Sequence, residues 1–184
     1  MKIFGIDPGS ARTGYGCLQT DGSRHRIIVA GVISAPAAAT FPEKLLEIHR
    51  RLAALIEESR PDCVAIESLF HANNVRSALK LGHARGVAVL AAVEAGLPVV
   101  EYTPAEIKRA VVGYGRAEKH QVQQMMKLLL GLSEAPSPHD AADALAVAIC
   151  HLHSMPPAGI AIPVPAPGSR VAKSWRQYRP PANG

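Results

Sequence analysis

The chain of 184 residues is 48% hydrophobic and 19% charged, one domain's worth with enough apolar surface for a real core, and it is expected to fold alone. No apolar run reaches the roughly 18 residues of a membrane span, and the polar start Met1-Lys2 leads into a strand pattern instead of a signal peptide, so a cytoplasmic protein with no membrane association is expected. The formal charge of +5 is unevenly spread: residues 70–130 carry 8 Lys and Arg against 4 Asp and Glu, 131–155 carry 3 acids and no Lys or Arg, and 156–184 carry 4 bases and no acid, a distribution that suits a polyanion cradle beside a cation-holding pocket.

Ile3-Phe4-Gly5-Ile6-Asp7 is a short, continuously apolar strand that runs into one carboxylate. Pro8 has no N–H for a ladder and Gly9 tolerates unusual backbone angles, so the strand stops with Asp7 at its rim. Gly14 to Gln19 and Arg26 to Ile33 follow as strands joined by the Asp21-Gly22 turn. Thr40-Phe41-Pro42-Glu43 is a capping box, and the stripe Leu45, Ile48, Leu52, Leu55, Ile56 predicts an amphipathic helix ending near Arg60-Pro61. Asp62 to Glu67 repeats the design of the first strand, a buried run closed by an acid. If the two strands lie side by side and parallel, both acids meet outside their carboxyl ends, where open α/β sheets bind ligands.

A helical pattern runs from Asn74 to Ala95 and ends at Gly96 and Pro98. It carries Gly82 and Gly86, which would let another helix or backbone come close. A strand from Val99 to Tyr102, a second capping box at Thr103-Pro104-Ala105-Glu106, a short helix with Lys108 and Arg109, and a break at Gly113-Tyr114-Gly115 come next. A helix from about Ala117 to Leu130 and a last one from Asp140 to about His153 complete a domain of residues 1–155. The stretch 156–184 repeats prolines without helical periodicity and is expected to be a disordered basic tail. Cys17, Cys63 and Cys150 are odd in number and have no C-x-x-C spacing, which argues against a disulfide frame or a zinc site.

Asp140 and Asp143 stand three apart on the first turn of the last helix and so share a face. The helix dipole alone favours acids there. The surrounding Ala141, Ala142, Ala144, Ala146 and Ala148, however, let the helix lie close on the sheet and carry both acids to the rim of Asp7 and Glu67. Four carboxylates converging without paired Lys or Arg would repel one another unless cations sat between them, and all-oxygen donors suit Mg²⁺ or Mn²⁺ over zinc. Two such ions can activate water and stabilise the leaving oxygen of a phosphodiester displacement.

Gly5 to Gly9 (G-I-D-P-G), Ala65 to Glu67 (A-I-E), Ser77 to Gly86 (S-A-L-K-L-G-x-A-R-G), Ala117 to Lys119 (A-E-K) and Asp140 to Leu145 (D-A-A-D-A-L) together resemble the RuvC family of Holliday-junction resolvases, in order over about residues 1–155. The resemblance implies a ribonuclease H-like α/β fold with a five-stranded mixed sheet and helices on both faces. It also implies a homodimer that resolves four-way DNA junctions by paired nicks in recombination and repair. Mg²⁺, two ions per subunit with Mn²⁺ able to substitute, would be the cofactor, and the RuvA-RuvB branch-migration complex a partner. By position, Asp7, Glu67, Asp140 and Asp143 match the family's catalytic, metal-holding acids. Phe70, Lys108 and Lys119 match positions associated with junction DNA, and Arg76 at the head of the basic segment joins them as a DNA contact.

Two other readings compete. Asp7-Pro8-Gly9 followed by Gly14 and Gly16 also resembles the phosphate loop of actin-like ATPases and sugar kinases, although those proteins need two such domains around the nucleotide. A non-catalytic junction-binding module would not need four acids. Phe70, in the loop after Glu67, could pack in the core or stack on an unpaired base. His139 could assist the site or merely stand at a helix start, whereas His151 and His153, two apart on a helix, face different ways and make a poor metal site.

Overall fold

Alternating apolar runs and turn signals become a five-stranded sheet in a computed structural model that describes residues 1–22, 24–68 and 74–155. The expectations for Phe70 and for the tail 156–184 therefore lie outside the described residues. In chain order the elements are β1 (Lys2–Asp7), β2 (Arg12–Thr20), β3 (His25–Ser34), α1 (Phe41–Ser59), β4 (Cys63–Glu67), α2 (Val75–Glu94), β5 (Val99–Tyr102), α3 (Pro104–Val112), α4 (Lys119–Leu129) and α5 (His139–Ser154). Met1–Ser154 form one compact unit. Among the described residues no helix is long and apolar enough to cross a membrane.

The strand order is β3-β2-β1-β4-β5. The first three strands form an antiparallel meander, while β4 lies parallel to β1 with Ile6 opposite Ile66, and β5 lies parallel to β4. Strands β1 and β4 are central and apolar on both faces: Ile3, Phe4, Ile6, Val64, Ala65 and Ile66 are completely buried. Side chains of alternate direction feed two cores. Ile3, Leu18 and Ala65 pack with α3, α4 and α5 on one face, and Phe4, Ile6, Val64 and Ile66 pack with α1 and α2 on the other. The ribonuclease H-like mixed sheet with helices on both faces is thus observed.

Helix boundaries follow their caps. Thr40 and Thr103 each close the reciprocal box expected of them, with Pro in the first turn. Asn74 caps α2 by accepting from the Ser77 N–H at 2.8 Å. Helix α4 starts two residues later than expected, because Glu118 makes a capping box with Gln121 and so stays outside the helix. At the head of α5 the Pro138 carbonyl accepts the Ala141 and Ala142 N–H groups.

The contact of α5 with the sheet decides where the site forms. A Cβ on Gly5 would lie 2.0 Å from the Ala144 carbonyl oxygen, and one on Gly14 would lie 2.0 Å from that of Asp140. Side-chain-free strand positions face a helix of small residues, so the backbones approach more closely than any larger pair would allow. Gly82 and Gly86 behave differently: among the described residues, leaving aside the helix's own backbone, nothing lies within 4 Å of a Cβ built on either. The close approach expected there is not made among the described residues.

Candidate active site

Asp7 ends β1, Glu67 ends the parallel neighbour β4, and Asp140 and Asp143 stand on the first turn of α5. The Gly14 contact presses that turn against β2 beside β1, and this brings the helical acids to the strand-end acids. Asp7, Asp140 and Asp143 each offer one oxygen, and these atoms lie within 4.8 Å of one another. Glu67 joins through a hydrogen bond with Asp7.

Burial raises the Asp7 carboxyl from its ordinary 3.8 to about 8, with the charge of Glu67 next in importance and smaller contributions from Asp143 and Asp140. Glu67 is also raised by burial, an effect its hydrogen bond to Asp7 opposes. Asp7 and Glu67 thus share a proton between their carboxyls, held there by burial and mutual repulsion. A half-buried group of oxygens that must borrow a proton to relieve its own repulsion is a fitting host for a hard divalent cation, which would replace that proton.

Cations are nevertheless close at hand, and the expectation of acids without paired Lys or Arg is corrected. Arg12 Nε lies 2.8 Å from Asp140 Oδ2, and Lys119 Nζ lies 2.7 Å from Asp143 Oδ2. Both arrive from other elements, Arg12 from the start of β2 and Lys119 from the start of α4, so spacing along the chain hides both pairs. The hydrogen bond to Asp143 raises the Lys119 pKa.

Of the expected DNA contacts, Lys108 and Lys119 line one small cleft of about 180 Å³ with Glu67 and Asp143, over an apolar floor that includes Ile107 and Val122. Arg76 lies exposed in the first turn of α2. His139 is exposed and bonds through Nδ1 to Gln123 of α4, outside the group of carboxylates. His151 bonds through Nδ1 to the Tyr102 hydroxyl at 2.8 Å, and His153 Nδ1 lies 2.9 Å from the Ala110 carbonyl, so each has a structural partner. Arg12 was not singled out by its sequence. A base five residues beyond a strand-end acid, across a Pro-Gly turn, is the only local signal it gives.

Comparison with known proteins identifies the family. A family model described as "Crossover junction endodeoxyribonuclease RuvC" matches residues 3–151. The protein of that name from Trichlorobacter lovleyi is 52% identical over 180 residues, covering 98% of this chain and 100% of the relative. Its counterpart in Syntrophomonas wolfei is 51% identical over 154 residues, covering 84% and 90%. Thermus thermophilus RuvC, solved in complex with a Holliday junction substrate, superposes with a TM-score of 0.76 at 34% identity, covering 83% of this chain and 94% of that one. With a match that takes in both acid-ended strands and the acidic first turn of α5, the chain belongs to the RuvC family of crossover junction endodeoxyribonucleases.

Proposed function

We propose that this endonuclease acts on four-way DNA junctions with Asp7, Glu67, Asp140 and Asp143 as its catalytic group, holding Mg²⁺, two ions per subunit, with Mn²⁺ as a substitute. The observation that carries the reading is the convergence of these four acids, from three elements, at the carboxyl rim of β1 and β4. Bound there, divalent cations would make a hydroxide-like nucleophile from water near neutral pH and neutralise the leaving oxygen. The chain's own residues do the rest. The carboxylates fix the cation positions on rigid strand ends and a helix turn. Lys108 and Lys119, on the wall of the adjoining cleft, hold the strand's phosphates in line, and Phe70 and Arg76 serve as further junction contacts. The T. thermophilus relative holds a junction in its solved complex, which supports the same substrate here.

Paired nicks need two equivalent sites, and α2 offers a surface for a second copy. Val75, Leu79, Leu90 and Val93 are 77%, 60%, 48% and 57% exposed, and with Gly82 and Gly86 they form one stripe along the helix. A homodimer through this stripe buries those side chains and uses the open glycines for close packing. Leu79→Glu should yield monomers in sedimentation, with paired nicking reduced to single nicks.

The ATPase reading needs a second domain around the nucleotide, and a binding module has no use for the acids. The test is Mg²⁺ titration with a four-way junction, a linear duplex and ATP in parallel. Symmetric nicks in the junction alone are expected. Glu67→Gln, Asp140→Asn and Asp143→Asn should each lower nicking by several orders of magnitude while junction binding persists. A variant that binds and still cuts at the parental rate would remove its residue from the site.

A further inference from the structure

Arg12 stands at the first position of β2, and its place is tightly fixed. The Thr13 hydroxyl donates to the Gly9 carbonyl at 2.9 Å, and a Cβ on Gly9 would lie 2.0 Å from the Arg12 carbonyl oxygen. The turn after Asp7 therefore folds back on itself and delivers Arg12 to the rim. Its Nε meets Asp140 at 2.8 Å while 55% of the side chain stays exposed. A guanidinium has five N–H donors in a rigid fork that matches phosphate oxygens. One edge of Arg12 is on a carboxylate of the cation-holding group, and the other is open to whatever approaches the rim.

Arg12 and a divalent cation draw on the same Asp140 carboxylate, whose Oδ2 Arg12 already holds, and two positive charges on one carboxylate repel each other. We propose that Arg12 is an exchangeable partner of Asp140: it holds the carboxylate while the site lacks cations, then moves to a backbone phosphate of the bound DNA strand once Asp140 turns to a cation. This rests on Asp140 being a cation ligand, as proposed above. It makes two opposite predictions for one residue. Arg12 should oppose cation binding in the DNA-free protein, by occupying the ligand and by its like charge, and it should assist DNA binding when cations are present.

The test uses the full chain with Arg12→Gln and Arg12→Lys. In DNA-free protein, Mn²⁺ affinity read by electron paramagnetic resonance should tighten about three- to tenfold in Arg12→Gln, the scale of losing one partly exposed competing charge pair. Arg12→Lys should stay within about twofold of the parent, since the charge is kept. Junction affinity should fall about tenfold in Arg12→Gln with Ca²⁺ present but less than about twofold in a chelator, where Arg12 is engaged by Asp140. Unchanged or weaker Mn²⁺ binding by Arg12→Gln, an affinity loss equal with and without Ca²⁺, or a variant that fails to fold would each overturn the proposal. Asp140→Asn separates the two levels of inference. If it leaves Mn²⁺ binding unaltered, the site assignment itself fails; if it abolishes binding while Arg12→Gln changes nothing, only the role of Arg12 does.

Discussion

Replacing Asp7 by Asn should make the cation-free protein more stable while removing its activity. Asp7 is raised from 3.8 to about 8 by burial and the neighbouring Glu67. The folded protein therefore keeps this proton up to about pH 8, whereas the unfolded chain releases it near 3.8, and stability falls as pH rises through that window. A shift of about four units at about 1.4 kcal/mol each bounds the penalty near 5–6 kcal/mol. Because Asp7 shares its proton with Glu67, roughly half of that, 2–3 kcal/mol, is the gain expected from Asn, whose amide can still donate to Glu67. Urea unfolding in a chelator should show the full gain near pH 8, a smaller one as pH falls, and none below about pH 4, where both states of the parent are protonated. Saturating Mg²⁺ should reverse the order, since only the parent gains stability from the bound ion. Equal stability of the two proteins at pH 8 in chelator, or a gain just as large at pH 4, would refute the reasoning.

Gly14→Ala should cost about 1–3 kcal/mol in urea unfolding and lower nicking in the same protein, because its Cβ must push back the Asp140 backbone; parental nicking would show that the first turn of α5 need not sit where it does. Phe70→Ala should reduce cleavage more than junction affinity, by the roughly 1–3 kcal/mol of one lost stacking contact; a large drop in melting temperature would instead place Phe70 in the core. Removing residues from 158 onward should leave folding and metal-dependent cutting intact, since Met1–Ser154 already form one compact unit, with at most a small loss of salt-sensitive binding. Loss of the folded state on truncation would contradict the division at residue 155.

The strand-end acids were legible because backbone chemistry marks them: an apolar run, a carboxylate, then residues that cannot continue a ladder. The parallel pairing of β1 with β4 stood in the sequence only as a condition, which the structure meets; a connection containing α1 is long enough to allow it. Asp140 and Asp143 were legible only through their small neighbours, and the reason is now explicit: Gly5 and Gly14 have no side chain to hold α5 away. What the sequence hid depends on side-chain reach between elements distant along the chain. Arg12 and Lys119 each pair with an acid of α5, and no periodicity or cap marks such a partner. The glycines of α2 leave room for close approach, and no described part of this chain fills it. The start of α4 was misplaced because a glutamate caps it where Ser or Thr is the common signal.

The two ion pairs also change what the acidic cluster says about catalysis. Four carboxylates with no compensation would hold the cation-free rim open by repulsion, and the first cation would have to order it. Here Arg12 and Lys119 compensate the two helical acids, while Asp7 and Glu67 compensate each other with a proton. The group is therefore arranged without a cation, and the cation binding proposed above would have to break three contacts: two ion pairs and one hydrogen bond. The ion pairs are half-exposed and so cheap to release, but the proton on Asp7 is held by burial. Cation affinity should therefore rise steeply with pH up to about 8, where that proton leaves unaided. Arg12 and Lys119, if freed as proposed, would stand beside the acids with their charges available to a phosphate. Under the proposed function, a single event, the arrival of cations, would complete the acid group and release two positive charges toward the strand to be cut.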